Sequence, residues 1–242
     1  MDETRRIAMW SGPRNLSTAM MRSFGARSDA AVWDEPFYAA YLHATGLDHP
    51  MREAVIAAGE TDPRSVVMRC LGPAPGDKPI WYQKHMTHHM LPEIERDWLA
   101  EVTNVFLIRA PERVAASYAA KHELADLRDI GFVEQKELFD LVADRLGAAP
   151  PVIDAADIRA DPERALRALC AAVRVPFDPA MLAWPSGPRP EDGVWASHWY
   201  EAVNRSTGFA PPEAAPPTLH GDAARLADAA RPYYEALRPF AL

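Results

Sequence analysis

The segment that most constrains the fold lies close to the N-terminus, where an apolar strand runs into a turn and then into a helix. The turn reads Ser11-Gly12-Pro13-Arg14-Asn15-Leu16-Ser17-Thr18, and an amphipathic helix is predicted over 18–27. A turn of this kind directs backbone N–H groups and the positive end of a helix at one point. Arg14, Ser17 and Thr18 add a guanidinium group and two hydroxyl donors. The segment predicts a site for an anion with several oxygens, such as phosphate or sulfate.

This loop departs from the ATPase-type pattern G-x-x-x-x-G-K-[ST]. Gly12 matches the first glycine, but Leu16 lies near the second position and no lysine precedes Ser17. One alternative is an ordinary strand–turn–helix corner in which Ser17 or Thr18 only caps the helix. The arginine in the turn argues against this alternative, because capping a helix N-terminus requires no cation.

A second segment repeats the arrangement further along the chain. An apolar strand over 102–108 ends at Arg109, Pro111 opens a helix predicted over 112–121, and Ser117 lies inside that helix. In an open α/β sheet the carboxyl ends of neighbouring strands share one crevice. Arg14 and Arg109 are therefore expected to face the same ligand, one with anionic groups at both ends.

Together the two segments resemble the sulfotransferase family, which uses 3′-phosphoadenosine 5′-phosphosulfate as its sulfuryl donor. The first loop resembles the arginine form of the family's 5′-phosphosulfate loop, and the second segment resembles its 3′-phosphate motif. The resemblance covers 5–121 and continues to 199–209. It implies a sulfotransferase that acts without a bound metal. The donor-binding residues it implies are Gly12, Pro13, Arg14, Asn15, Leu16, Ser17, Thr18, Arg109 and Ser117.

The order of apolar runs and helical patterns predicts an α/β fold. We expect a single domain over 1–242 with three layers, an open, mainly parallel sheet with helices on both faces, similar to P-loop nucleotide hydrolases. A helical insertion is predicted over about 37–76 and a loop-rich part over about 184–242. The predicted strands lie near 5–10, 31–34, 79–83, 103–108 and 151–154.

Composition limits the partners that this chain is expected to have. Its 242 residues are 48% hydrophobic, enough for one sizeable core, and its formal net charge of −8 argues against a nucleic-acid partner. Cys70 and Cys170 are too few for a disulfide framework. We expect a cytoplasmic protein without membrane contact, because neither a cleavable signal nor a membrane-length apolar run is evident. The oligomeric state is left open.

Two residues are candidates for the base that accepts the acceptor's proton. Glu35 follows the second strand, where the resemblance places a catalytic glutamate; a helix-start acid before Pro36 is the alternative interpretation. His85 follows the third strand beside Lys84, and the resemblance assigns this pair to proton transfer and to neutralising the bridging oxygen. His85 also lies near His88 and His89 in a run that suggests a metal site, but the H-E-x-x-H pattern is absent.

A late aromatic segment over 195–209 is the remaining candidate contact with the donor. Its aromatic rings suit stacking on a purine, and Arg205 is placed to reach a phosphate, as a late loop does in sulfotransferases. A packed aromatic helix with an exposed polar face fits the same pattern.

Three functions compete. The first is sulfuryl transfer to a hydroxyl or amine of a small-molecule acceptor. The second is a P-loop kinase or NTPase, in which Ser17 and Asp154 would hold Mg²⁺. The third is an inactive nucleotide-binding protein, whose support is the Asn15-Leu16 pair where many sulfotransferases have Ser-Gly.

Overall fold

Five parallel strands form the sheet of this protein, a computed structural model of which describes residues 4–120 and 126–242. The strand order is 2-3-1-4-5, and all four neighbouring pairs are parallel. All five predicted strands are present, and the third runs past its predicted end at residue 83. The strands are β1 (Arg5–Ser11), β2 (Ala30–Asp34), β3 (Ile80–Met86), β4 (Thr103–Ile108) and β5 (Val152–Asp154).

Helices connect the strands, and several begin where the sequence predicts. Pro162 occupies the first turn of its helix, and Asp161 caps it by accepting the backbone N–H of Arg164 at 3.1 Å. The predicted end of the helix after Arg109, at residue 121, lies outside the described residues. The α-helices are α1 (Ser17–Gly25), α2 (Tyr38–Thr45), α3 (Arg52–Ala58), α4 (Pro63–Leu71), α5 (Pro111–Ala119), α6 (Phe132–Leu146), α7 (Ala155–Ala160), α8 (Pro162–Ala172), α9 (Ala196–Trp199), α10 (Glu201–Asn204) and α11 (Gly221–Leu237).

The sheet is buried on both faces, as the continuous apolar strands require. On one face, Phe24 of α1 stacks on Tyr82 of β3 with ring centroids 4.4 Å apart. On the other, Phe139 of α6 meets Phe106 of β4 edge to face at 5.4 Å. Burying each such side chain stabilises the fold by about 1.5–3 kcal/mol. The expected three-layer α/β architecture is confirmed.

The position of the ligand crevice follows from this topology. β1 and β4 are neighbours in the sheet, yet α1 leaves β1 toward one face and α6 follows β4 on the other. Adjacent parallel strands with diverging connections open a crevice at their carboxyl ends. The loops that follow β1 and β4 both border this crevice.

Two further features concern the chain as a whole. Across 4–120 and 126–242, every helix is too short or too polar to cross a membrane. Cys70 and Cys170 are buried, and both thiols are free.

Candidate active site

The loop after β1 is packed tightly against the turn at Ile130 and Gly131. A Cβ atom on Gly12 would lie 2.5 Å from the Ile130 carbonyl oxygen, which belongs to the backbone and cannot easily move. Thr87 holds the same turn by donating its hydroxyl to the Gly131 carbonyl oxygen at 3.0 Å. Glycine at position 12 therefore allows the loop to approach this turn closely.

The first turn of α1 differs from the alternative in which Ser17 or Thr18 is the N-cap. Leu16 occupies the N-cap position, without a capping side-chain hydrogen bond among the described residues. Ser17 and Thr18 are instead the first two helical residues, so neither of them is the N-cap. Across 4–120 and 126–242 no side chain at the N-cap accepts the N-terminal N–H groups of α1, an arrangement that suits an anion.

Asn15 ties this loop to the neighbouring strand. Its side-chain amide donates to the Leu107 carbonyl oxygen of β4 at 2.9 Å, and its oxygen accepts the backbone N–H of Leu16 at 2.8 Å. Asn15 therefore fixes the loop relative to β4, a structural role that the departure from Ser-Gly did not reveal.

Arg14 and Arg109 lie together at the carboxyl ends of β1 and β4. Nη1 of Arg109 donates to the backbone carbonyl oxygen of Arg14 at 2.6 Å. The Arg14 guanidinium carbon lies 5.4 Å from the ring centre of Tyr118 and 5.1 Å from that of Trp199. Arg14 has a φ of 57°, in the left-handed region that is uncommon for residues other than glycine. The structure thus brings the two predicted arginine corners to one place.

A buried network surrounds the ammonium group of Lys84 at the end of β3. Its Nζ donates to Asp34 Oδ1 at 2.8 Å, to Glu35 Oε1 at 2.7 Å and to the Tyr200 hydroxyl at 2.6 Å. The Tyr200 hydroxyl in turn donates to Asp34 Oδ2 at 2.7 Å. One buried cation therefore fixes two carboxylates and a tyrosine near the carboxyl end of β3.

The electrostatics of Glu35 and Lys84 follow from this arrangement. Burial raises the pKa of Glu35, the charge of Asp34 raises it further, and Lys84 opposes both. Burial alone would lower the pKa of Lys84, but Asp34, Glu35 and Tyr200 together raise it well above its usual value. Glu35 also has a φ of 43°, a strained conformation that costs about 1–3 kcal/mol. A glutamate with a raised pKa is a stronger base once it is ionised.

His85 lies on the opposite face of the sheet from Lys84. Its ring stacks on Trp10 at 4.4 Å, with Phe37 and Trp98 also in contact, and its Nε2 is 3.2 Å from Gln83 Oε1. Burial lowers its pKa to about 3, so the imidazole is neutral. The structure therefore separates His85 from the Lys84–Glu35 pair, contrary to the expected pairing of Lys84 with His85.

A different histidine, His89, lies beside Glu35. Its Nδ1 is 3.9 Å from Glu35 Oε2, and its ring stacks on Tyr38 and Tyr41, each at 4.7 Å. Burial, and then the neighbouring His88, hold its pKa well below the usual value. Within the described ranges no cluster of three or more histidine, cysteine or acidic side chains is arranged to hold a metal. The site thus includes an aromatic and histidine wall that sequence reasoning missed, although Tyr38 and Tyr41 share a helix face at the predicted insertion.

The remaining predicted residues are placed as follows. Ser117 is half-buried on α5, the helix that follows Arg109. Arg205 is exposed and pairs on the surface with Glu201 at 2.5 Å, a residue of the same helical segment and not of either arginine corner. Trp199, from the same late segment, does reach the site by lying against Arg14.

Comparison with known proteins identifies the family of this chain. The sulfotransferase domain family matches residues 5–241. Two curated proteins of Arabidopsis thaliana, branched-chain-amino-acid aminotransferase-like proteins 2 and 1, are each 37% identical over 96% and 98% of this chain. The chain spans only 41% and 42% of their lengths.

Two solved structures share the fold at low sequence identity. The sulfotransferase domain from the curacin biosynthetic pathway has a TM-score of 0.54 and 16% identity, covering 95% of this chain and 98% of that domain. The sulfotransferase domain of the Synechococcus PCC 7002 olefin synthase has a TM-score of 0.50 and 16% identity, covering 94% of each chain. These likenesses support the fold.

Proposed function

This chain belongs to the sulfotransferase domain family, and we propose that it transfers a sulfuryl group from 3′-phosphoadenosine 5′-phosphosulfate to a hydroxyl or amine of a small-molecule acceptor. The observation that carries the proposal is the junction of the two arginine corners, where Arg109 Nη1 lies 2.6 Å from the Arg14 carbonyl oxygen. This contact joins the Arg109 side chain to the backbone of Arg14, so both arginines border one crevice and suit a ligand that is anionic at both ends.

The residues of the crevice fit such a donor. Arg14 and the N-terminus of α1 would hold its 5′-phosphosulfate, because backbone N–H groups and a cation converge there. Arg109 and Ser117 would hold its 3′-phosphate through a guanidinium group and a hydroxyl. When bound, the donor supplies the sulfuryl group and departs as adenosine 3′,5′-bisphosphate.

Glu35 is the residue that we assign as base. Lys84 fixes its Oε1 at 2.7 Å, which leaves Oε2 to accept the proton of the acceptor's hydroxyl or amine. As the acceptor atom bonds to sulfur, the bond from sulfur to the bridging oxygen breaks and the electron pair leaves on that oxygen. Arg14 and the N–H groups of α1 stabilise the negative charge that develops on that side.

The kinase alternative is disfavoured by the contacts of Asp154. This carboxylate caps α7 by accepting the Ala156 N–H at 2.8 Å, accepts the Tyr234 hydroxyl at 2.6 Å and pairs with Arg238 at 3.3 Å. A carboxylate engaged by three partners is poorly placed to bind Mg²⁺. The backbone of Glu35 is strained, and Lys84 holds its side chain in place. This favours an active enzyme over an inactive binding protein, because backbone strain is typically retained at functional sites.

A thermal-shift comparison tests the donor assignment. At 100 times its Kd, adenosine 3′,5′-bisphosphate without metal is expected to add about 2.7 kcal/mol of stability, or roughly 5–10 °C in Tm. Arg109→Ala should remove most of this shift because the 3′-phosphate loses its charged partner. Arg167→Ala, which removes an exposed arginine of α8, should leave the shift intact.

Stabilisation by ATP with Mg²⁺ and not by the bisphosphate would overturn the proposal in favour of the kinase alternative. Transfer of labelled sulfate from the donor to a panel of small hydroxyl and amine compounds then identifies the acceptor. The cytoplasmic location and the absence of a nucleic-acid partner stay predictions.

A further inference from the structure

Three arginines converge on one carboxylate beside the predicted 3′-phosphate residues. Glu213 pairs with Arg109, with Arg113 at 3.2 Å and with Arg159 at 2.5 Å. These arginines come from separate parts of the chain: the end of β4, helix α5 and helix α7. Arg113 also precedes Ser117 by one helical turn, which places both on one face of α5. The cluster therefore adjoins the site that we propose for the donor's 3′-phosphate.

The charges of this cluster are unequal. Three guanidinium groups meet a single carboxylate, and their other contacts among the described residues are with backbone carbonyl oxygens of Arg14, Pro211 and Ala214. A phosphate monoester carries a charge of about −1.5 to −2 and three acceptor oxygens. It matches three guanidinium groups better than one carboxylate does, because arginine binds phosphate through paired hydrogen bonds.

Glu213 lies in a strap, residues 210–220, that is held mainly by these arginines. Residues 210–212 and 214–217 are exposed, and Glu213 is the half-buried member between them. Both ends of the strap are anchored: Phe209 packs edge to face on Trp184 at 5.1 Å, and α11 begins at Gly221. A segment with fixed ends and little buried apolar surface can leave the cluster without disturbing the core.

We propose that Arg113 and Arg159 join Arg109 in binding the donor's 3′-phosphate, and that Glu213 occupies this cluster as an internal competitor that the phosphate displaces. This inference rests on the proposed function, because it takes the donor to be a 3′-phosphorylated nucleotide. The inference also assigns a role to the proline-rich strap. Without a donor, Glu213 keeps the three arginines paired, and only a ligand that carries a 3′-phosphate can displace it.

Calorimetric titration of two nucleotides tests this competition. Adenosine 3′,5′-bisphosphate carries the displacing phosphate, and adenosine 5′-monophosphate lacks it. Glu213→Gln should tighten binding of the bisphosphate at least fivefold while changing the affinity for the monophosphate less than twofold. Arg159→Gln and Arg113→Gln should each weaken binding of the bisphosphate about tenfold, again with little change for the monophosphate.

Matched controls are a carboxylate and an arginine from an exposed pair on α8. Glu163→Gln and Arg167→Gln should leave both affinities unchanged. Far-ultraviolet circular dichroism and thermal unfolding of each variant confirm that it is folded. The combined variant Glu213→Gln/Arg159→Gln should lose the gain that Glu213→Gln gives alone.

Two results would overturn the inference, and they are distinguishable. If the wild-type protein binds the bisphosphate but Glu213→Gln leaves the ratio of the two affinities unchanged, Glu213 does not compete and this inference alone fails. If no folded variant binds the bisphosphate, the donor assignment fails and the inference fails with it.

Discussion

The two faces of the sheet at the end of β3 differ in kind, although the residues that define them are neighbours in sequence. On one face, Lys84 donates to two carboxylates and a tyrosine hydroxyl within 2.8 Å. On the other face, His85 lies among three aromatic rings, and its polar contact among the described residues is with Gln83. Successive side chains of a strand point to opposite faces. Only one of the two neighbours can therefore share a site with Glu35.

The contrast separates charge chemistry from packing. A buried ion pair survives only when its members are well paired, because an unpaired buried charge costs several kcal/mol. A neutral imidazole needs no such compensation and can stack as an aromatic side chain. We therefore expect substitutions on the Lys84 face to change catalysis and substitutions on the His85 face to change mainly stability.

Glu35→Gln should produce the largest effect. The substitution keeps the shape of the side chain but removes the base, so kcat with an identified acceptor should fall by about 10²–10⁴-fold. Binding of adenosine 3′,5′-bisphosphate should change by less than threefold. Single-turnover transfer of labelled sulfate measures the loss, and Glu163→Gln on the surface of α8 is the control. A near-normal rate would remove Glu35 from the mechanism.

The pH profile sharpens the same assignment. Burial raises the pKa of Glu35 above its usual 4.5, and only the ionised carboxylate can accept a proton. In the wild-type protein kcat should therefore fall as the pH decreases through this raised pKa. Lys84→Met removes the group that lowers the pKa of Glu35, so the decrease of kcat on the acidic side of the profile should move to higher pH. A decrease that stays at the same pH would contradict the contact between Lys84 and Glu35.

Lys84→Met should also destabilise the fold. It leaves Asp34 and Glu35 buried without their cation, at an expected cost of about 3–5 kcal/mol in the free energy of unfolding at pH 7.5. Urea denaturation measures the change. Lys136→Met is the control, because Lys136 pairs with Asp140 on the partly exposed surface of α6 and should cost less than about 0.5 kcal/mol. Equal effects for the two lysines would mean that the buried network contributes little.

Tyr200→Phe tests a smaller part of the same network. It removes the hydroxyl that accepts from Lys84 at 2.6 Å and donates to Asp34 at 2.7 Å. Hydrogen bonds to charged groups contribute about 1.5–3 kcal/mol, which is the loss expected in the free energy of unfolding. Tyr233→Phe on α11 is the matched control. A loss confined to kcat would instead indicate that Tyr200 acts only in the reaction.

Much of this fold could be predicted because its signals are local. The continuous apolar runs predict buried parallel strands, and Pro111 and Asp161-Pro162 mark helix starts that the structure confirms. The meeting of Arg14 and Arg109 was also predictable, because it follows from a general property of parallel sheets rather than from a particular side-chain contact.

Which face of the sheet Lys84 and His85 occupy was not predicted, because the polar residues after position 83 suggested that the strand ends there. The strand continues to Met86, and Lys84 and His85 therefore alternate within it instead of sharing a corner. What permits a buried lysine there is Tyr200, 116 positions away in sequence, together with Asp34 at the end of β2 and Glu35 directly after it. Glu213 was missed for the same reason: its three arginine partners are distant in sequence.

His85→Gln should have the smallest effect, and one that depends on pH. The folded protein holds the pKa of His85 at about 3, whereas an unfolded histidine titrates near 6.5. Between these values the unfolded state binds the additional proton, so His85 reduces stability as the pH falls below 6.5. At pH 5 this loss of stability amounts to about 2 kcal/mol, because pH 5 lies 1.5 units below the unfolded pKa of 6.5 and each unit corresponds to about 1.4 kcal/mol.

Urea denaturation at pH 8 and at pH 5 measures this effect. His85→Gln retains a donor for Gln83 and should lose about 2 kcal/mol less than the wild-type protein between the two pH values, with an unchanged transfer rate at pH 8. The exposed His43, changed to Gln, is the matched control. A folded His85→Gln protein with a hundredfold lower rate at pH 8 would contradict the assignment of His85 to packing alone and would place it in the reaction.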